Sequence, residues 1–553
     1  METSFIKEFE RTIKENWERK ALTDYKGETY HYKDVARRIE KIHLIFERCG
    51  VEKGDKIALV GKNSSNWAIT FIATVSYGAV IVPILHEFKV DNIHHIINHS
   101  EAKVVFAGES YLELLDEKKM PQLNSIVSLA DFSITFDAFN NEIEHLTHKV
   151  NALYEEKFPN GLQPSNICYK AEKSAEDLCI LNYTSGTTGY SKGVMLPYRS
   201  LMANYRFAQD VLNIERGEKV VSLLPLAHAY GAAFEFIYEF LEGVEIVFLT
   251  KNLSPKIILD AFGDVKPRII LLVPLILEKI YKKEILPKIS TPAMKVMLSI
   301  PGIRNIIYKK INDKITSLFG GNFIEVIIGG AALNPEVDAF LKKIGFRYTV
   351  GYGMTECGPI IAYTPYDDTR VGSCGKIVKR LQLKINSSDP YNEAGEILVK
   401  GENVMLGYYK NEDATSAVLD EDGWMHTGDL GVIDQEGFIY IKGRSKNMIL
   451  GPSGQNIYPE EIENKLNNLP FVSESLVVEN NSRLVALVFP DVDAAKNQGI
   501  NEDELHSHFE RTRHELNRQL PAFCQISALQ LREEEFEKTP KKSIKRFLYQ
   551  TEA

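Results

Sequence analysis

The segment best equipped for chemistry is Tyr183-Thr184-Ser185-Gly186-Thr187-Thr188-Gly189-Tyr190-Ser191-Lys192-Gly193. Its glycines permit tight turns and close backbone approach, and successive N–H groups in such a loop can cradle a polyphosphate. The hydroxyls of Thr184, Ser185, Thr187 and Thr188 add donors, and Lys192 adds a point charge suited to outer phosphate oxygens. It is not a Walker A loop, which needs Gly-Lys followed by Ser or Thr; here Lys192 follows Ser191 and precedes Gly193. A flexible linker is the poorer reading, because the segment leaves the apolar run 178–181 directly.

Further clusters stand downstream. Gly329-Gly330-Ala331-Ala332 follows the run 324–328, and only side chains this small let a flat base approach the backbone. Val350-Gly351-Tyr352-Gly353-Met354-Thr355-Glu356 offers an aromatic face, a hydroxyl and a hard anionic oxygen. Gly423-Trp424-Met425-His426-Thr427-Gly428-Asp429 sets a carboxylate beside glycine, by itself usually a turn. Lys442-Gly443-Arg444-Ser445-Lys446 supplies cations soon after. In Pro225-Leu226-Ala227-His228-Ala229-Tyr230-Gly231 the histidine has two readings, orienting a carboxylate or being structurally satisfied at a helix start.

The elements that position these groups follow from periodicity. Short β-branched runs at 56–60, 103–106, 179–184, 220–224, 244–249, 268–273 and 324–328 alternate with helix-like stretches such as 198–212 and 254–262. Ser254-Pro255 supplies an N-cap and a first-turn proline. The alternation predicts an α/β chain with mainly parallel, helix-covered sheets. Short antiparallel strands follow at 396–400, 430–434 and 438–442, a small β subdomain. Beyond Arg444 a compact α+β region begins, which puts a large N-terminal domain at 1–443 and a small C-terminal one at 447–553. A chain of 553 residues is long enough for both cores.

Net charge of −10 argues against a nucleic-acid partner, because phosphate neutralisation needs a basic face. Six dispersed cysteines without CxxC spacing read as reduced thiols in a cytoplasmic protein. The uncharged run 63–86 reads as a helix followed by a buried strand rather than a membrane span. The basic stretch 279–314 reads first as a solvated helical face, with weak peripheral membrane contact as the alternative.

Segment 183–193, with the other motifs in order behind it, closely resembles the acyl-adenylate-forming superfamily, most of all bacterial long-chain fatty-acyl-CoA ligases; 403–409 and 538–548 carry that last likeness. The resemblance implies ATP, Mg2+ and coenzyme A as cofactors and co-substrate, and a fatty acid of medium or long chain. It implies that Thr184 to Gly189 and Lys192 hold phosphates. Gly330, Ala331, Ala332, Tyr352, Gly353 and Met354 would lie about adenine, with Tyr352 stacking. Thr355 would hold the α-phosphate, Thr184 and Glu356 the Mg2+, and Asp429 and Arg444 the ribose. Lys446, in a hinge at 444–446, would let a mobile C-terminal domain rotate between half-reactions, bringing 451–455 to a pantetheine passage. Amino-acid-activating relatives carry an aspartate early in the helix after His228; no acid occurs here before Glu235, which favours an uncharged acyl tail.

One departure stands out. Relatives end on a Pro-x-x-Lys-Ile motif whose lysine enters the site; Thr539-Pro540-Lys541-Lys542-Ser543-Ile544-Lys545 puts Ser543 there. Lys541 and Lys545 share the face of Ser543 in an extended chain and Lys542 takes the opposite one, so the catalytic lysine stays unassigned among the three, with Lys541 taken as the candidate. Two rival readings follow: an acyl-AMP ligase loading an acyl carrier protein, and an ATP-binding regulatory module with weakened catalysis.

Overall fold

The computed structural model describes residues 4–138, 143–184, 191–250, 254–451, 455–480, 483–539 and 543–550, with side chains described outside 143–148 and 502–503. The uncharged run forms helix Ser65–Tyr77 and strand Val80–Ile84. Ser64 caps the helix by accepting from the Trp67 amide, and Gly78 ends it at φ +86°. Every residue of Val80–Ile84 is buried, because the strand sits inside a sheet covered on both faces.

That sheet has eight strands. Its middle is parallel, with Lys56–Val60 between Val80–Ile84 and Ala102–Ala107. Leu178–Thr184 runs parallel to Val80–Ile84 and is then paired antiparallel by Lys192–Pro197. A four-stranded sheet and a three-stranded parallel sheet, Ile270–Leu272, Val326–Ile328 and Tyr348–Val350, complete the large unit. An antiparallel sheet of Leu381–Asn386, Gly395–Gly401, Met425–Ile433 and Ile439–Arg444 follows. One apolar core extends from Phe5 to Ile439, and a second gathers Ile457, Leu466, Val477, Ala486 and Phe509. The second is enclosed by helices Pro459–Leu466 and Glu502–Asn517 on the sheet of Val472–Asn480, Arg483–Pro490 and Ile526–Leu531. All six cysteines are free thiols. No helix among the described residues is long and apolar enough to cross a membrane.

Two local outcomes differ from the sequence expectation. The strand expected at 220–224 stops at Ser222, because the Leu223 and Leu224 amides donate instead to Glu235 Oε2, at 2.8 and 2.7 Å. The strand expected at 430–434 begins earlier, at Met425, and so takes in Asp429.

Candidate active site

The segment expected to hold phosphates is flanked by Thr184 and Lys192, register partners of two antiparallel strands. Ser185, Gly186, Thr187, Thr188 and Gly189 lie outside the described residues. Lys192 Nζ sits 4.7 Å from the centre of the Tyr408 ring, and Tyr408 donates its hydroxyl proton to Glu356 Oε1 at 2.9 Å. One aromatic side chain thus spaces the ammonium from the carboxylate. Behind the loop, the Tyr183 hydroxyl and His99 Nδ1 are 2.7 Å apart, tying the strand to a neighbouring helix.

Strand register builds the second group. Asp429 on Met425–Ile433 is the partner of Arg444 on Ile439–Arg444. Arg444 Nε donates to Asp429 Oδ1 at 2.9 Å, and the Tyr352 hydroxyl donates to Oδ2 at 2.7 Å. Asp429 is 4% exposed. Burial pushes its pKa up, while Arg444 and Tyr352 oppose that rise. The same carboxylate holds the Arg444 guanidinium above its ordinary range. Lys446, in the turn Ser445–Asn447, has its pKa lowered by burial and then by the Arg444 charge. Asn447 donates to Glu460 at 2.7 Å, joining this turn to helix Pro459–Leu466.

A third wall is made of small residues. Gly329 to Ala332 leave the strand Val326–Ile328, and Gly330 takes φ +85°. Any Cβ on Gly329 would stand 3.0 Å from the Tyr230 ring, whose hydroxyl donates to the Ile327 carbonyl at 3.1 Å. Thr355 opens a short turn, Thr355–Cys357, and is buried. His228 precedes helix Ala229–Ala232, with its carbonyl accepting from Ala232 N, and its side chain is half-buried. Asn63 bonds to Leu224 and Leu226 and so clamps the facing segment.

These walls enclose one cavity of about 2380 Å3, well beyond the few hundred cubic ångströms of a single small-ligand site. Its lining includes Asp429, Arg444, Lys446, Glu356, Thr184 and Lys192, and also the apolar side chains of Phe207, Leu249, Leu271 and Ile276. The C-terminal segment also borders it through Ser543, Ile544 and Lys545. Lys545 is paired with Glu537, and Lys538 with Glu474 at 2.6 Å and Glu535 at 2.5 Å. Arg546 anchors the segment on Glu463. Lys541 lies outside the described residues, as do 452–454 of the expected pantetheine passage.

The expected site residues that are described therefore converge on one cavity. Sequence reasoning missed Tyr408, although it lies in the stretch 403–409 singled out for its resemblance. It also missed Asn63 and the bonding of Glu235, which carry no local signature. No group of three or more His, Cys, Asp or Glu among the described residues is arranged to hold a metal ion alone. A cation here would need phosphate oxygens to complete its shell.

An α/β chain with this cavity at the junction of two cores has the form of a nucleotide-dependent acid-activating enzyme. Residues 9–409 match the AMP-binding enzyme family, and residues 446–551 match the AMP-binding enzyme C-terminal domain. The chain belongs to the AMP-binding enzyme family. The peroxisomal long chain acyl-CoA synthetase 6 of Arabidopsis thaliana is 30% identical over 511 residues, covering 87% of this chain and 70% of that protein. A long-chain-fatty-acid--CoA ligase of Escherichia coli is 27% identical over 502 residues, 86% of this chain and 82% of the relative. In fold, ATP-bound MatB from Rhodopseudomonas palustris matches with a TM-score of 0.77 at 23% identity, over 99% of each chain. The anthranilate CoA ligase AuaEII matches with a TM-score of 0.78 at 20% identity, over 100% of this chain and 97% of that one.

Proposed function

We propose that this protein is an AMP-forming acid–thiol ligase acting on a medium- or long-chain fatty acid. In the first half-reaction a carboxylate oxygen attacks the α-phosphorus of ATP and pyrophosphate leaves. In the second, the thiol of coenzyme A attacks the acyl carbon, loses its proton, and AMP leaves with the electron pair of the broken bond. Activation is needed because direct attack on a carboxylate adds charge to an anion.

The observation that carries this reading is the single cavity lined both by Asp429, Arg444, Lys192 and Glu356 and by apolar side chains such as Phe207, Leu249 and Leu271. Asp429 and Arg444 suit a ribose, the first accepting and the second donating. Tyr352 offers its ring to the base, and Gly330, Ala331 and Ala332 leave room for it. Lys192 with the loop amides and Thr355 faces the phosphates, where positioned donors stabilise transition-state charge. Mg2+ accompanying ATP would be held by Glu356 and Thr184 together with phosphate oxygens, neutralising charge on the leaving group. His228 borders the place where carboxylate and phosphate would meet. The names of the relatives support coenzyme A as the acceptor and a long acyl chain.

We take 1–443 as the acyl- and nucleotide-binding domain, 444–446 as hinge and 447–553 as the rotating domain. Because Lys545 is engaged by Glu537, and Lys542 would take the face opposite Ser543 in an extended segment, we assign the adenylating ammonium to Lys541. Lys541→Ala then lowers fatty-acid-dependent pyrophosphate exchange about 10²-fold, the loss typical of one removed charge-stabilising donor. Ser543 on the cavity wall favours the second reading, an ATP-binding module with weakened catalysis. A screen of carboxylic acids, following AMP and thioester together with either coenzyme A or acyl carrier protein, decides between these. Fatty acids should give AMP and acyl-CoA in equal amounts. Release of phosphate instead of AMP, or no acid-dependent turnover at all, overturns the ligase reading.

A further inference from the structure

Behind the strands that carry Thr184 and Lys192, a histidine is built into a polar cluster that the proposed chemistry does not use. Helix Val90–Ser100 ends on Glu101, which takes φ +59°. Glu101 accepts from the Tyr409 hydroxyl and from Lys410 Nζ, both at 2.9 Å, and Lys410 Nζ also donates to the His99 carbonyl at 3.2 Å. The end of the helix is thereby tied to 409–410. His99 is half-buried and packs edge-on against Tyr183 and Tyr409, each ring centre 5.8 Å away, with its Nδ1 2.7 Å from the Tyr183 hydroxyl.

From that contact the two tyrosines reach both strands. Tyr183 precedes Thr184, and its register partner is Gly193, next to Lys192. Its ring lies across Gly193, where a Cβ would stand 3.1 Å from Tyr183 Cζ. The Tyr409 amide donates to the Gly193 carbonyl at 2.8 Å. Thr184 and Lys192 line the cavity, whereas His99, Tyr183 and Tyr409 stand outside its lining. Burial raises the Tyr183 pKa, so the phenol keeps a proton to donate. Burial foremost, then the charges of His95 and Lys410, lower the His99 pKa, and Glu101 opposes them. His95 stacks on His99 at 5.7 Å from the same helix, and Lys56 Nζ stands 5.5 Å from the centre of the Tyr409 ring. A neutral imidazole accepts at one nitrogen, here Nδ1, and carries its proton on the other.

We infer that His99 is a positioning residue for ATP: in its neutral form it accepts from the Tyr183 hydroxyl and so fixes the strand ends that present Thr184 and Lys192 to the phosphates. Protonation of Nδ1 turns that bond around, and the buried phenolic proton then has to find another acceptor. The inference rests on the nucleotide-binding half of the ligase reading and deepens it: the grip on ATP loosens as pH falls through the range in which an imidazole charges. His99 touches no reacting atom and acts through Tyr183.

Binding of MgATP to the full-length protein is measured by calorimetry from about pH 8 down to about pH 5.5, the span over which an imidazole charges. ATP itself gains protons in acid, so the readout is the affinity of each variant relative to wild type at the same pH. His99→Asn keeps an acceptor oxygen and cannot be protonated. It should bind within about twofold of wild type at the alkaline end and about fivefold more tightly than wild type at the acid end. His99→Leu and Tyr183→Phe should each bind roughly fivefold more weakly at the alkaline end, and the variant carrying both no more weakly than either. In pyrophosphate exchange these losses should appear in KM for ATP and leave KM for the acid unchanged. The same pH dependence in wild type and His99→Asn overturns the inference, with ATP binding intact. So do single-variant losses that add in the double variant, or a fall in Tm with ATP affinity unchanged. Absence of ATP binding by wild type at every pH overturns it together with the ligase reading.

Discussion

Asp429 and Glu235 are both buried carboxyls, and they differ in what surrounds them. Asp429 has a guanidinium and a phenol on its two oxygens, which oppose the upward push of burial. Removing one partner of a hydrogen-bonded charge pair costs about 2–5 kcal/mol. Arg444 remains partly exposed to water, so Asp429→Asn is expected at the low end, an increase in KM for ATP of about thirtyfold. Glu235 has no cation. Its Oε2 accepts from Ser222, Leu223 and Leu224, while Oε1 is buried without a partner. Burial raises its pKa to about 8, so the proton resides on Oε1 near neutrality. A raised folded-state pKa contributes stability below the unfolded value of 4.5 and loses it as pH rises through about 8. Glu235→Gln should therefore flatten the decline of Tm across that window and leave the variant more stable than wild type at alkaline pH. A wild-type Tm that does not decline there would refute the assignment.

At the scale of elements, two glycines serve the cavity for different reasons. A Cβ on Gly231 would lie 2.6 Å from the Pro225 carbonyl oxygen, so helix Ala229–Ala232 packs on the preceding backbone with no room to yield. Gly231→Ala should cost about 1–3 kcal/mol, read as a fall in Tm, and should disturb the apolar wall. Gly330 has space, with Val273 Cγ1 3.9 Å from its Cβ position, but its φ of +85° strains any other L-residue. Gly330→Ala should cost about 1–2 kcal/mol by the same Tm measurement. The antiparallel pairing of Met425–Ile433 with Ile439–Arg444 matters as much, since a slip of one residue would turn Asp429 away from Arg444.

For the whole molecule, the two cores meet across the cavity through few polar contacts. Lys282 Nζ donates to the Asn467 carbonyl at 2.5 Å, and Asn334 donates to the Asn468 side chain. These tie the end of helix Pro459–Leu466 to the large unit at the cavity wall. Burial lowers the Lys282 pKa, though Glu278 and Glu336 oppose this. Loss of a charge-assisted hydrogen bond is worth about 1.5–3 kcal/mol. Lys282→Met should therefore lower fatty-acid-dependent pyrophosphate exchange about tenfold. Acyl transfer from synthetic acyl-AMP to coenzyme A should not fall if, as proposed, the domain 447–553 rotates about 444–446 before that step. Equal loss in both assays would mean that Lys282 only stabilises the fold.

The amino-acid sequence by itself determined the parts of this protein that are local. Motif 183–193, the glycine-alanine corner and 350–356 stand out in the sequence because residue type and near spacing mark them, while the resemblance supplies what each would hold. The helix and strand of 63–86 were legible because burial leaves a composition. Tertiary structure alone decided what each side chain meets. Asp429 facing Arg444, Tyr408 between Lys192 and Glu356, and Glu235 ending a strand early all join residues brought together by strand register or packing. The exposure of Val296, Ile300, Ile303 and Ile306 belongs there too: 279–314 reads as a solvated helical face, and packing alone decided which of its apolar side chains stay in water. Whether a side chain is paired or left in water depends on the free energy of its surroundings, and chain folding assembles those surroundings from distant residues.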